Sequence, residues 1–406
     1  MSEISLIPVG LLLLVACVIA MVSRRSGLPY SVGLVAAGLL IALLPDSAQI
    51  PLSRELIFQV FLPPLIFEAA LQLQWRRFRA ELPLTLVLAL VGVALAAAVV
   101  GAGMHYLAQW SWIGALLFGV LIAATDPVSV IASFREIRVE PRLSMVVESE
   151  SLLNDGVAAV AFAVLSGVAA GASHSAAMLV PEFLWTMGGG VLIGAAVTAA
   201  ILALAGRTDD HLVEITLTTI AAWGSFGIAE HFRASGVISA LTAGLMVANL
   251  GSMGAISDQG REHVQSAWDF FAFLANSFVF MLIGMNTANQ PLRELGSITA
   301  AAAIGLVLLG RLISVYPLSA LFAGSRWKVP GPYQHVLFWG GLRGALALAL
   351  ALAVPPTVVE RQAIITTAFV VVAFSILVQG LTMPWLIRRL NLGRNDAEEP
   401  VAAARG

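Results

Sequence analysis

The chain has 406 residues, of which 59% are hydrophobic and only 11% charged; its net charge is −2 and its mean hydropathy +0.91. A soluble domain carries about 25% charged residues, so the composition excludes one of ordinary size and points to an all-α polytopic membrane protein. The single cysteine, Cys17, excludes an internal disulfide, and the basic residues, all Arg except Lys328, form no nucleic-acid face.

A bilayer core of about 30 Å needs about 20 apolar residues. On that ruler the sequence predicts thirteen spanning segments, at 4–22, 28–44, 54–73, 82–104, 112–134, 143–171, 180–205, 212–230, 236–250, 264–288, 297–323, 334–354 and 361–386. The second and ninth are short, and the sixth is long enough to tilt. The first is not a secretory signal, because Arg24 and Arg25 follow its apolar run instead of preceding it. Cys17 within it reads as a small buried or lipid-facing residue. With the N-terminus outside, strict alternation puts 16 of the 22 basic residues in inside loops and the C-terminal tail and 4 in outside loops; Arg311 and Arg343 remain within the membrane. That asymmetry predicts a cytoplasmic C-terminus. If segment 7 is a linker, segments 1–6 and 8–13 form two inverted six-helix repeats, an arrangement in which interrupted helices fall at matching positions. Segment 5 is interrupted by Asp126-Pro127, and segment 12 by Gly340-Gly341-Leu342-Arg343-Gly344.

In segment 3, Glu68 follows Leu62-Pro63-Pro64-Leu65 and reads as an access-funnel residue or a surface ion pair. In segment 5, Pro127 lacks an N–H and pushes Asp126 away from helical geometry, so the helix opens and frees backbone carbonyls. Unpaired backbone at membrane depth persists only where it lines a cavity or ion site. Thr125, with a hydroxyl and a carbonyl, supplies hard oxygens suited to an alkali cation. The competing reading is a proline kink with Asp126 capping the freed half-helix. In segment 6, Ser151 and Asp155 share a helical face, with Glu148 a further turn back; Glu150 and Asn154 share the adjacent face. Asp155 is the expected ion-binding carboxylate with Ser151 beside it, and Glu148 is a second funnel candidate. Ser151 and Asn154 read also as polar glue between helices.

A buried arginine needs a carboxylate. Glu150 is the natural partner of Arg311 or Arg343, in a structural role; Arg311 is favoured, and Arg343 can instead neutralise the opened end of segment 12. Asp269 reads as interfacial, and Phe278-Val279-Phe280-Met281-Leu282-Ile283-Gly284-Met285 as packing. The six histidines fall in loops or near segment ends, which speaks against a Ser–His hydrolase or an intramembrane histidine metal site. There is no Walker lysine and hence no nucleotide site.

Together, Ala124-Thr125-Asp126-Pro127-Val128, Glu150-Ser151-Leu152-Leu153-Asn154-Asp155-Gly156 and Gly340-Gly341-Leu342-Arg343-Gly344-Ala345 resemble the monovalent cation/proton antiporters, in the NhaP-type and eukaryotic sodium/proton exchanger branch. The resemblance implies a homodimer in lipid, with dimerisation-bundle parts at 1–81 and 207–290. It implies core parts at 82–178 and 291–390, a linker helix at 179–206 and a short cytoplasmic tail at 391–406. Segments 5 and 12 would unwind and cross. The implied ion site is Asp155, Ser151, Asp126 and the Thr125 backbone, with Glu150 and a core arginine as a structural pair. The short tail suggests a prokaryotic plasma-membrane protein. No cofactor is expected beyond the transported Na+ or Li+ and H+. Because Asn154 stands beside Asp155, electroneutral 1:1 Na+/H+ exchange is expected. A K+/H+ antiporter is the alternative within transport. An intramembrane aspartyl protease using Asp126 and Asp155 lacks the Gly-x-Gly-Asp pattern of that class, and nothing resembles a channel's carbonyl-ring filter.

Overall fold

Backbone polar groups must be satisfied within a bilayer, and for an apolar chain helices do this segment by segment. The computed structural model describes residues 6–26, 28–44, 52–171, 176–251 and 256–393. Among these there is no β-strand, only an isolated bridge between Val139 and Gly393. His174 and the predicted tail from residue 394 onward lie outside the described residues.

The helices in chain order are α1 (Leu6–Ser26), α2 (Tyr30–Ala42), α3 (Leu62–Leu71, led by a π-helical stretch Leu56–Phe61), α4 (Trp75–Ala108), α5 (Trp112–Leu121), α6 (Val128–Ile137), α7 (Pro141–Ala169), α8 (Ala176–Ala205) and α9 (His211–His231). They continue with α10 (Gly236–Leu250), α11 (Asp258–Ala288), α12 (Leu292–Leu295), α13 (Ser297–Leu321), α14 (Gly331–Trp339), α15 (Ala345–Leu352), α16 (Arg361–Phe374) and α17 (Leu381–Arg389), the last two joined by a π-helical stretch Ser375–Gly380. Among the described residues eight helical stretches are long and apolar enough to cross a membrane, and Tyr30–Ala42, Leu56–Leu71, Trp112–Leu121 and Gly236–Leu250 are shorter apolar helices.

Several helices outrun their apolar segments. Hydropathy starts segment 4 at 82, but α4 begins at Trp75, because the polar turns holding Arg76 to Glu81 stay helical outside the apolar stretch. Glu81 accepts an ion pair at 2.8 Å from Arg142, in the first turn of α7. Both π-helical stretches precede prolines, Pro63 and Pro64 in α3 and Pro384 in α17. Proline withdraws an N–H from the ladder, and the added residue per turn accommodates the gap. One carbonyl within the first π stretch, that of Gln59, accepts instead from Trp223 Nε1 at 3.0 Å.

The segments expected to be interrupted are each two half-helices. α5 and α6 are separated by the non-helical residues 124–127 and the turn before them, and α14 and α15 by residues 340–344. Around them α4 packs along α13, α2 along α11 and α3 along α10. The α2–α11 crossing depends on absent side chains. A Cβ on Gly38 would lie 2.1 Å from the Met281 carbonyl oxygen, and one on Gly284 2.2 Å from that of Val35. Small residues let helix backbones meet in lipid, where dispersion and not hydrophobic exclusion holds helices together. Gly38→Val and Gly284→Val are each expected to destabilise the fold by about 1–3 kcal/mol through overpacking. Thermal unfolding in detergent should show the drop; an unchanged melting temperature would mean that α2 and α11 separate freely.

Candidate functional site

The two breaks meet. Residues 124–127 are non-helical between α5 and α6, and the Asp126 N–H donates to the Leu342 carbonyl, in the break between α14 and α15, at 2.8 Å. Asp126 Oδ1 turns back to accept from the Val128 N–H at 2.9 Å, which caps α6. The glycines of the second break make room. A Cβ on Gly344 would lie 2.1 Å from Asp126 Oδ2, and one on Gly341 2.6 Å from Arg311 Nε.

Behind the crossing stands a buried polar chain. Arg311, on α13, donates from Nη1 to Glu150 Oε1 at 2.7 Å and from Nη2 to Glu150 Oε2 at 3.0 Å. The same guanidinium donates from Nε and Nη2 to the Leu337 carbonyl of α14, at 3.1 and 2.9 Å. Glu150 is 2% exposed and Arg311 8%. One turn along α7, Asn154 Nδ2 reaches Glu150 Oε1 at 3.3 Å and Thr125 Oγ1 at 2.8 Å, and Asn154 Oδ1 accepts from the Thr125 N–H at 3.0 Å. Ser151 donates a short hydrogen bond to the Thr125 carbonyl and accepts from Thr125 Oγ1 at 3.2 Å.

Arg343 occupies a different place from the one expected. Its guanidinium does not neutralise the end of its own half-helix. It donates from Nη1 to the carbonyls of Ala123 and Ala124, at 3.3 and 3.4 Å, in the break of the other interrupted helix. The reason is the crossing: the Arg343 backbone is pinned by Ser375 Oγ at 2.9 Å, and the side chain extends toward the carbonyls that Pro127 helped to free.

In front of the crossing lies a cavity of about 90 Å³. Asp126, Asp155, Thr125 and Pro127 line one side, α3 contributes Leu62, Ile66, Glu68 and Ala69, and α11 contributes Asn276. Among the described residues nothing donates a hydrogen bond to Asp155 Oδ1, although that atom is buried. A buried polar atom normally has a partner, which sets this oxygen apart from the other side-chain oxygens that line the cavity.

The sequence-derived residues thus divide. Thr125, Asp126, Asp155 and Glu68 line the cavity. Ser151 does not: its hydroxyl is held against Thr125, in the crevice that also contains Glu150 and Arg311. Glu148 lines a separate opening of about 300 Å³ with Gln72, Arg77, Arg135 and Ser144, and accepts from Ser144 Oγ at 3.0 Å. Asp269 is exposed and accepts from Gln72 Nε2 at 3.4 Å. Among the described residues, one polar side chain that lines the cavity, Asn276, is absent from the sequence-derived set. Its signal is the one that marks Asp155, a polar side chain in the middle of an apolar segment.

This geometry has relatives. A family model described as sodium/hydrogen exchanger, transmembrane, matches residues 11–389. The Na+/H+ antiporter ApNhaP of Aphanothece halophytica is 41% identical over 367 residues, which are 90% of this chain and 70% of that one. The Na+/H+ antiporter NhaH of Halobacillus aidingensis is 32% identical over 410 residues, covering 95% of this chain and 98% of that one. In fold, the chain is similar to the solved sodium proton antiporter MjNhaP1 from Methanocaldococcus jannaschii at pH 8, with a TM-score of 0.71 at 18% identity, over 95% of this chain and 98% of the other. A helical membrane protein with this match along most of its length belongs to the sodium/hydrogen exchanger family, whose members named here are transporters and not enzymes.

Proposed function

We propose that the protein is a secondary active Na+/H+ antiporter that exchanges one Na+, or Li+, for one H+ at Asp155 by alternating access. The observation that carries this reading is the partnerless Asp155 Oδ1 on a cavity beside Asp126, at the crossing of two broken helices. A carboxylate there holds a cation or a proton, not both. Either load lowers its charge, and moving it bare through a low-dielectric interior is costly. Exchange is then coupled, because the empty, charged site is the state least able to cross.

The ledger of charges supports electroneutral exchange. Glu150 is neutralised by Arg311 through two parallel hydrogen bonds. Asn154, the neighbour of Asp155, is neutral and fully engaged with Thr125 and Glu150. Arg343, from the other break, is held on the carbonyls of Ala123 and Ala124, and its charge is constant through the cycle. Asp126, Asp155 and the Thr125 backbone serve as ion ligands in this reading. Ser151 acts through Thr125, whose carbonyl it orients, and Glu68 borders the ion.

The larger architecture follows the same proposal: thirteen spans, N-terminus outside, C-terminus cytoplasmic, in a prokaryotic plasma membrane. Two inverted repeats are supported by reciprocal packing. Segment 2 lies on segment 10 as α2 on α11, and their repeat partners, segments 9 and 3, pair as α10 on α3. Segments 4–6 and 11–13 form the moving core around the crossing. Segments 1–3 and 8–10 form the static bundle, through which two copies pair. A reporter fused after Gly393 should read cytoplasmic; a periplasmic reading would overturn the span count.

Exchange is tested by fluorescence dequenching in everted vesicles given sodium, lithium and potassium in parallel. Sodium and lithium should release the proton gradient, and a response to potassium alone would replace the sodium reading with a potassium one. Asp155→Asn should abolish the response while keeping the fold, since it removes the titrating group and preserves shape. Sodium-dependent proton release from purified, reconstituted Asp155→Asn would refute the assignment.

Glu150 generates a stability test. Glu150→Gln leaves a buried guanidinium uncompensated, at a cost of roughly 3–5 kcal/mol. Adding Arg311→Met should recover part of the loss, with a coupling of at least about 1 kcal/mol, whereas Arg343→Met should add nearly independently. Melting curves of the single and double variants measure this. A Glu150→Gln protein with wild-type stability and no transport would move Glu150 to the proton path.

A further inference from the structure

A polar seam runs between α3 and α11 toward the cavity. Gln265 and Asp269, one turn apart and both exposed, hold Gln72 through hydrogen bonds of 3.2 and 3.4 Å. Gln72 Nε2 reaches Glu68 Oε1 at 3.1 Å, one turn deeper on α3. On α11 the seam continues two turns past Asp269 to Asn276, on the same helical face. There it ends in the cavity that Asp126, Asp155 and Glu68 line. By the topology proposed above, the exposed end of the seam faces the cytoplasm.

Asn276 differs from other asparagines of the molecule. Asn249 Nδ2 donates to the Leu245 carbonyl at 2.8 Å and Asn286 Nδ2 to the Leu282 carbonyl at 2.9 Å, each one turn back on its own helix. Asn154 is bonded on both ends of its carboxamide. The Asn276 carboxamide pairs with none of the described residues, although it sits half-buried in the middle of an apolar helix. A polar side chain in that setting that glued helices together would be bonded to one of them.

The cavity sets the demand. At about 90 Å³ it holds on the order of three water molecules. A cation seated there against Asp126 and Asp155 exchanges part of its hydration shell for protein oxygens. A carboxamide oxygen is a hard, neutral ligand of the kind alkali cations take, and it adds no charge to the count.

We propose that Asn276 is a cation-selecting residue of the exchange site, presenting its carboxamide oxygen from the static bundle to the partly dehydrated cation held by Asp126 and Asp155. The inference rests on the antiporter reading and adds to it the residue that weighs one cation against another. Smaller, more strongly hydrated cations depend most on each replacement oxygen, so Asn276 favours Li+ and Na+ over K+.

The test is exchange in proteoliposomes with a trapped pH dye, titrated with Na+, Li+ and K+. Losing one neutral oxygen ligand should raise the KM of Asn276→Ala for Na+ and Li+ roughly fivefold, with the maximal rate and melting temperature near wild type. An Asn276→Ala protein with unchanged KM for all three cations would overturn the proposal, as would an equal rise for all three with a lowered melting temperature. Should Asn276→Ala not fold, Asn276→Gln decides: a changed Na+ to Li+ preference supports the role, and an unchanged one overturns it. A wild-type protein that exchanges no cation for protons would instead defeat the antiporter reading itself.

Discussion

The site depends on the buried ion pair between Glu150 and Arg311. Taking two charges out of water costs several kcal/mol per ion, which only good geometry and further hydrogen bonds offset. Both are present. The guanidinium meets both carboxylate oxygens and the Leu337 carbonyl, so one side chain joins α13, α7 and α14. Glu150 in turn holds Asn154, and Asn154 holds the backbone and hydroxyl of Thr125. The break in the α5–α6 segment is thus fixed in shape by a chain of contacts that begins on a helix far from it in sequence.

The crossing can then be read as an accounting of backbone groups. Breaking two helices inside a bilayer frees N–H and C=O groups that water does not reach, and each left alone costs several kcal/mol. Here the carbonyls of Ala123 and Ala124 accept from Arg343, the Thr125 N–H is taken by Asn154, and the Thr125 carbonyl by Ser151. The Asp126 N–H is taken by Leu342, and the Val128 N–H by Asp126 itself. The other break is bound by Arg311 on Leu337 and by Ser375 on Arg343. With these backbone groups engaged, the cavity in front keeps one buried carboxylate oxygen without a donor among the described residues, Asp155 Oδ1, with Asp126, Glu68 and Asn276 around it. Engaged backbone behind and an unpaired carboxylate oxygen in front is the division that the proposed cation site needs.

Much of this was legible because it depends on short-range rules. Proline in the middle of an apolar segment announces the break at Asp126, and spacing on one helix pairs Glu150 with Asn154. Depth in the membrane marks Arg311 and Asp155 as special. What was not legible depends on contacts between distant helices. Glu150 and Arg311 are 161 positions apart, and only the packing of α13 along α4, which in turn packs on α7, chooses Arg311 over Arg343. Ser151 shares a helical face with Asp155, yet its hydroxyl is claimed by the Thr125 carbonyl, which lies in another segment. Asn276 carries a local signal, but its place beside Asp155 follows from how α11 lies against α3. Helix ends such as Trp75 escape hydropathy because a helix does not stop where its apolar run does.

The central claim is that one carboxylate trades a proton for a cation while its charged neighbours stay fixed. Isothermal titration of Na+ into the purified protein measures this directly, in two buffers of different ionisation enthalpy at a pH where the site is protonated. The slope of heat against buffer enthalpy counts protons. One proton released for each Na+ bound is the predicted result. Na+ binding with no proton release, or with two, would contradict single-site competition at Asp155.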